Sequence, residues 1–216
     1  MKIDKDQIVA EALNLLNERG LDGLTTRALA DRLGVRQPAL YWHFKDRRAL
    51  LDAMNDAIEA RFAATAPAPE MPWQDYVFQM GLAFRAALMA YRDGARVHAG
   101  TRANRGQLEQ HMAVLVQARL PMALAIQLLV AVGRFVVGWV LEEQAEASAP
   151  PGPKAAPDSL AGQTIRVFHE MGDQAAFEAG LRMLTDGAEM ASKTGSTTRR
   201  RSRAAQTLPP IAVNQA

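Results

Sequence analysis

Apolar residues recur along this chain at three- and four-residue intervals, the spacing of one helix face, and nowhere alternate as a half-buried strand would. Residues 6–19 set Ile8, Ala12, Leu15 and Leu16 on one stripe, and Gly20 stands where a helix stops. Thr25 is a good N-cap for a short helix that turns Leu29 and Leu33 inward and ends at Gly34. A third short helix starts near Gln37, with Pro38 at its first position, where the missing N–H costs nothing. Asp46 then caps a longer helix, 46–63, on which Leu50, Leu51, Met54, Ile58 and Phe62 keep helical spacing. The run "ATAPAPEMP" (64–72) breaks the pattern. Helices over 73–90, near 105–118, and over 121–146, 160–170 and 174–190 follow. Between them, "RDGARVHAGTR" turns at Gly94 and 147–159 is a Pro/Ala-rich loop. The pattern predicts an all-α chain. It has a small N-terminal helix-turn-helix unit with its connecting helix (1–63), a larger helical body (64–191) and a basic tail (192–216) with too little apolar content to order.

Composition changes this picture in three ways. About half the chain is hydrophobic (49 %), enough for a real core. With no cysteine, disulfides and thiolate metal sites are excluded. The start, "MKIDKDQIV", lacks the apolar region of a signal peptide, which points to the cytoplasm. One segment, 120–141, is nearly long enough to cross a bilayer. Arg134 inside it would cost about 2.5–3.5 kcal/mol near the membrane centre, so burial in a core or a subunit interface is expected instead. Net charge is only +2, but from Arg27 to Arg48 six basic residues stand against two acidic ones, a local patch suited to an anionic partner.

That patch borders "QPALYWHF". At 100° per residue Leu40 and Phe44 lie about 40° apart and define the buried side. Trp42 then points away from it, and Tyr41 and His43 flank the stripe. An exposed aromatic face can dock on the protein itself or on a partner. Here Gln37 stands at the helix N-terminus, where recognition helices meet base edges, and Arg36, Lys45, Arg47 and Arg48 surround it, which favours DNA.

The segment "LTTRALADRLGVRQPALYWHFKDRRALLDAM" resembles the DNA-binding part of the TetR family of bacterial repressors over about 45 residues, beginning at "ALNLLNERGLDGL". The resemblance implies operator contacts from Thr26, Arg27, Gln37, Pro38, Ala39, Tyr41, Trp42, His43 and Arg47. Ala39 stands where the tetracycline repressor has threonine, and Arg36 where it has glutamate or a similar residue, so the operator need not be shared. "WQDYVFQMGLAFRAALMAYRDGARVHAGTR", "AVGRFVVGWVLEEQ" and "AAFEAGLRML" are similar to the tetracycline-repressor branch, whose members bind a metal–tetracycline chelate in the core.

Carried over motif by motif, His98 would bind the metal, Thr101 and Glu142 would hold metal-bound waters, Arg102 would move with the following turn, and Phe84 would line the pocket. A hard ion such as Mg²⁺ keeps several waters, so few protein ligands suffice. It is the one cofactor implied, arriving with the inducer and not obligatory. Where the family anchors the drug with histidine, this chain has Ala63 or a neighbour; its asparagine is Met80, its glutamine falls near His111, and its second histidine is Arg134. Met80, Met112 and Phe84 make a more apolar lining.

The surplus apolar surface of 121–146 and 174–190 fits burial within one subunit and pairing of two equally well; the resemblance implies a homodimer with paired reading heads on a palindromic operator. The expected function is a ligand-released transcriptional repressor, with no membrane partner and no enzymatic activity. The alternatives are a constitutive DNA-binding protein with a vestigial pocket, or a metal-dependent enzyme using His98, His111, His169 and Glu142. No H-E-x-x-H, phosphate loop or nucleophile elbow supports the latter. Arg199, Arg200, Arg201 and Arg203 read as a solvated end, with a non-specific phosphate contact as the alternative.

Overall fold

The computed structural model describes residues 3–101, 105–150 and 155–205; these are helices and their connections, with no strand among them. The first helix, α1 (Lys5–Gly23), begins at a capping box in which Asp4 accepts from the Gln7 backbone and Gln7 returns the bond. Gly20 breaks its geometry at φ 70°, so the last turn kinks instead of stopping there as the glycine suggests. The helices α2 (Thr26–Leu33) and α3 (Gln37–Tyr41) meet at Gly34, whose φ of 65° closes the turn. Thr25 and Asp46 cap α2 and α4 (Arg47–Ala64) through the Ala28 and Ala49 amides at 3.1 and 2.7 Å. Arg32 ties α2 to α1 by pairing with Glu11 and Glu18, both at 2.6 Å.

The body comprises α5 (Trp73–Met89), α6 (Gly94–Ala99), α7 (Arg105–Gln117), α8 (Met122–Glu146), α9 (Leu160–Met171) and α10 (Asp173–Ala205). At its centre α5, α8 and α10 pack on one another. Gly81 and Gly180 let them close: a methyl at Gly81 would fall 2.8 Å from the Leu181 side chain, and one at Gly180 2.5 Å from the Phe135 ring. Arg85 of α5 joins Glu143 of α8 in a half-buried forked pair and reaches Gln174 of α10 at 2.6 Å.

Two elements differ from the sequence pattern. The Gly94 segment, read as a turn, is the helix α6: Asp93 enters the left-handed region (φ 56°), and Gly94 approaches the Leu88 carbonyl so closely that a Cβ would sit 2.2 Å from its oxygen. Gln144 of α8 fastens this corner, donating to the Tyr91 carbonyl at 2.8 Å and accepting from the Ala95 amide. The backbone of α10 stays helical to Ala205, through residues expected to be disordered from Ser192. The rest of that tail, 206–216, lies outside the described residues.

Among the described residues α8 alone is long and apolar enough to cross a membrane. Its inner side carries Ala125, Leu128, Val132, Val136 and Val140 and packs on α5, α6, α7 and α10. Its outer side leaves Met122, Ile126 and Val130 exposed at four-residue spacing, and Met183 and Met190 stand out on α10. Such stripes are what a subunit interface covers.

Candidate functional site

The reading head forms as the helical wheel predicts, on a shorter helix. Although α3 ends at Tyr41, Trp42 keeps helical angles (φ −67°, ψ −27°), and the His43 and Phe44 amides both bond to the Leu40 carbonyl, so the wheel runs on through Phe44. Leu40 and Phe44 are buried, and Trp42 is 89 % exposed. Gln37, Pro38, Tyr41 and Arg27 are exposed, with Thr26 and Ala39 half-buried on the same surface.

Two residues depart from their expected places. His43 is half-buried and lines a groove between α1 and α4 with Lys5, Asp52 and Asp56, so its ring is only partly on the reading face. Arg47 is exposed, yet its guanidinium donates to the Leu24 carbonyl and, at 3.1 Å, to the Leu21 carbonyl. It clamps the α1–α2 turn from the start of α4. Arg47→Ala is therefore expected to cost about 1–2 kcal/mol of stability. Urea unfolding at constant m-value checks this, and an unchanged midpoint would leave phosphate binding as its sole task.

A cavity of about 160 Å³ lies among α4, α5, α6, α7 and α8, lined by Glu59, Phe62, Met80, Phe84, His98, Leu108, His111, Leu129, Val132 and Gly133. It gathers four of the sequence-predicted ligand residues: Met80, Phe84, His98 and His111. The wall position near Ala63 belongs to Phe62, which is buried while Ala63 faces outward. Arg102 lies outside the described residues. Arg134 and Glu142 do not join this cavity. They are exposed on α8 and line a separate one of about 460 Å³ with Phe135, Trp139, Glu143 and Phe168. Within one protomer, therefore, His98, Thr101 and Glu142 form no common centre, and no group of three acidic or histidine side chains suited to a metal occurs among the described residues. His169 sits on α9, exposed and remote from the cavity lining, so the four-residue enzyme constellation does not assemble either.

Sequence reasoning missed what orients His98. The buried Asn55 and Glu59 are one turn apart on α4, and Asn55 Nδ2 donates to Glu59 Oε1 at 2.8 Å. A carboxylate only accepts, so the amide must present its oxygen to the other side, where His98 Nδ1 lies 3.0 Å away. Nδ1 of His98 therefore carries the proton and Nε2 keeps its lone pair, the state in which an imidazole binds a metal. The signal was present: Asn55 and Glu59 interrupt an apolar stripe at helical spacing with Ile58 and Phe62. The Thr101 hydroxyl donates to the His98 carbonyl at 2.8 Å and stops α6.

Burial depresses the pKa of both His98 and His111 below the ordinary 6.5. Below about pH 6.5 the unfolded chain then binds protons that the folded chain refuses, so stability is full above that value and falls as pH drops toward the folded-state pKa values. Thermal melts should show Tm falling between about pH 7 and 5.5; a flat Tm would contradict buried, neutral imidazoles.

Contacts run from this cavity to the reading head. The α4 helix is both wall and connector, and the corner preceding α6 grips α1 directly. The Leu21 amide donates to Asp93 Oδ2 at 2.7 Å, the Arg92 amide to Asn17 at 2.9 Å, and Arg96 pairs with Asp22 at 3.1 Å.

Residues 8–54 match the family described as "Bacterial regulatory proteins, tetR family", and residues 66–191 match "Tetracyclin repressor-like, C-terminal domain". The chain belongs to the TetR family. Its relatives include the tetracycline repressor protein class A from transposon 1721 of Escherichia coli, 45 % identical over 195 residues, which cover 86 % of this chain and 90 % of that one. Among solved structures, a TetR variant from Acinetobacter baumannii AYE in complex with minocycline superposes with a TM-score of 0.81 at 43 % identity, covering 88 % of this chain and 96 % of that one. Class A TetR in complex with 5a,6-anhydrotetracycline and magnesium gives 0.68 at 40 % identity, covering 86 % and 97 %. As a TetR-family member this chain is a ligand-responsive, DNA-binding repressor that acts as a dimer. Its curated relatives are repressors rather than enzymes.

Proposed function

We propose that the inducer is a planar, oxygen-chelating polycyclic compound of the tetracycline type, taken up as its Mg²⁺ complex, and that it enters the His98 cavity. The observation that carries this reading is the 3.0 Å contact of His98 Nδ1 with Asn55 Oδ1, which leaves Nε2 for a ligand in a cavity walled by the helix that leads to the reading head. The donor set fits Mg²⁺ only when the ligand contributes oxygens, because no three acidic or histidine side chains gather for an ion among the described residues; a role for Glu142 requires the second copy of the dimer. His98 would be the residue of this chain that holds the ion, which would supply positive charge for an anionic ligand.

The contacts of Thr26, Arg27, Gln37, Pro38, Ala39, Tyr41 and Trp42, with His43 at the edge, supply the operator surface. A dimer sets two such surfaces at a fixed spacing on a palindrome. At about 160 Å³ the cavity is smaller than the roughly 300–1,000 Å³ that drug-sized ligands occupy. An occupant of that size pushes on Phe62 of α4 and on α6, whose corner holds α1. Helix displacement changes the spacing of the two heads and lowers operator affinity, by no more than the ligand's preference for the released state. A bacterial operator sits in the cytoplasm, and the chain acts there.

Titration with tetracycline, with and without Mg²⁺, tests the reading. Mg²⁺-dependent fluorescence quenching together with release of a bound operator duplex is expected. Operator binding indifferent to tetracycline in both conditions would favour the constitutive regulator.

A further inference from the structure

The net charge of +2 conceals an uneven division along the chain. After Glu189 come five basic residues and no acidic one, so residues 1–189 carry a net −3. The family match stops at residue 191, and the basic end lies beyond the matched body. Lys193 belongs to the edge of that body, where it pairs with Glu189 at 2.7 Å. Arg199, Arg200, Arg201 and Arg203 follow within five positions, with only Ser202 between them.

The packing of α10 decides where this cluster stands. Helix α5 starts beyond the far end of α4 and finishes at the corner that grips α1, so its C-terminal end is the one near the reading head. Helix α10 lies antiparallel to it. Gln174 meets Arg85 at 2.6 Å, Leu181 covers Gly81, and the Arg182 guanidinium lies over the Phe78 ring, 4.2 Å from its centre. The helix therefore starts near the head and runs away from it. Its backbone stays helical to Ala205, which at 1.5 Å per residue sets the four arginines roughly 40 Å along the axis from Gln174. In a dimer whose two-fold coincides with that of a palindromic operator, both clusters end at the pole opposite the DNA.

That placement excludes the bound operator as the partner. Charges are screened over about 8 Å at physiological salt, so a cluster some 40 Å beyond the corner feels almost nothing of the operator phosphates. A duplex with a persistence length of about 500 Å does not fold back over the body within one site. A lipid surface is also disfavoured, because residues 192–205 include no aromatic, Leu, Ile, Val or Met side chain to enter a bilayer. Guanidinium forks pair with phosphate oxygens, and four of them within five positions suit a backbone whose phosphates repeat at short intervals.

We propose that the basic end of α10 is a second DNA site, indifferent to sequence, through which a dimer seated on its operator holds the phosphates of another duplex. The reading heads choose the position on one DNA segment, and the two arginine clusters tether a second segment at the far pole.

The test fills the heads first. A biotinylated duplex no longer than the operator is loaded with full-length dimer and offered a fluorescent duplex of unrelated sequence. The wild type should retain the second duplex at low salt and release it as salt rises. Replacing Arg199, Arg200, Arg201 and Arg203 together by Gln should cut retention about tenfold or more while leaving operator affinity and Tm unchanged. The corresponding fourfold Lys variant, which keeps the charge, should retain most of it. No retention by the wild type, or equal retention by the Gln variant, overturns the proposal. Operator affinity that falls together with retention would put the cluster on the bound duplex and overturns it as well. So would capture of phosphatidylglycerol–phosphatidylcholine vesicles in place of the duplex, which would assign the cluster to a lipid surface.

Discussion

Trp42→Ala and Gln37→Ala should each lower operator affinity about 10- to 100-fold while leaving Tm unchanged. Both side chains are exposed, and neither makes a hydrogen bond or ring contact that holds the head together, so truncation removes nothing from the fold. Gln37 opens α3, where a glutamine amide can pair with adenine, and losing such a pair costs about 1–3 kcal/mol of discrimination. Its loss should also relax sequence preference at one base position, whereas the loss of Trp42 should weaken binding to all operators alike. An operator recovered by selection from random duplexes, followed by fluorescence anisotropy at fixed salt, gives the comparison. Wild-type affinity in both variants would remove DNA reading from α3. The contrast with Arg47→Ala is informative, because that substitution should cost stability as well as affinity.

The reading head was legible in the sequence because its signals are local. Caps at Thr25 and Asp46, a glycine at a left-handed turn and two inward residues four apart all lie within a short stretch. The clamp that Arg47 makes is local in sequence but not in cause, since the carbonyls it bonds belong to the last turn of α1 and to Leu24 just beyond it. The cavity was half legible. Met80, Phe84, His98 and His111 could be assigned by resemblance, but nothing in the order of residues shows that Tyr76 meets His111 or that Asn55 meets His98, pairs 35 and 43 positions apart. The separation of Glu142 and Arg134 from the His98 cavity within one protomer was not legible for the same reason: a helix wheel of α8 tells which residues share a side, and only packing tells which side the cavity is on. The α6 corner escaped because its helix is one turn and a half long, below the length at which periodicity can be read.

Asn55→Leu should raise the Kd for Mg²⁺–tetracycline by about 10- to 100-fold, the usual cost of removing the group that orients a metal-binding imidazole. Leucine has the same branched four-atom side-chain skeleton but cannot accept from His98, so the ring loses the bond that keeps its proton on Nδ1 and its lone pair on Nε2. Operator binding without ligand should persist, because Asn55 lies on the inner face of α4 and touches no part of the reading surface. The variant would therefore act as a repressor that tetracycline releases only at far higher concentration. Asn55→Asp provides the complementary result: a carboxylate still accepts from His98 and keeps the ring oriented, but it sets a second acid against Glu59 inside the buried wall of α4. Its ligand affinity should stay nearer to wild type while its thermal stability falls, separating orientation of the imidazole from packing of the helix. Equal and unchanged Kd values in Asn55→Leu and the wild type would show that His98 needs no such support, and would move the metal-binding role away from this ring.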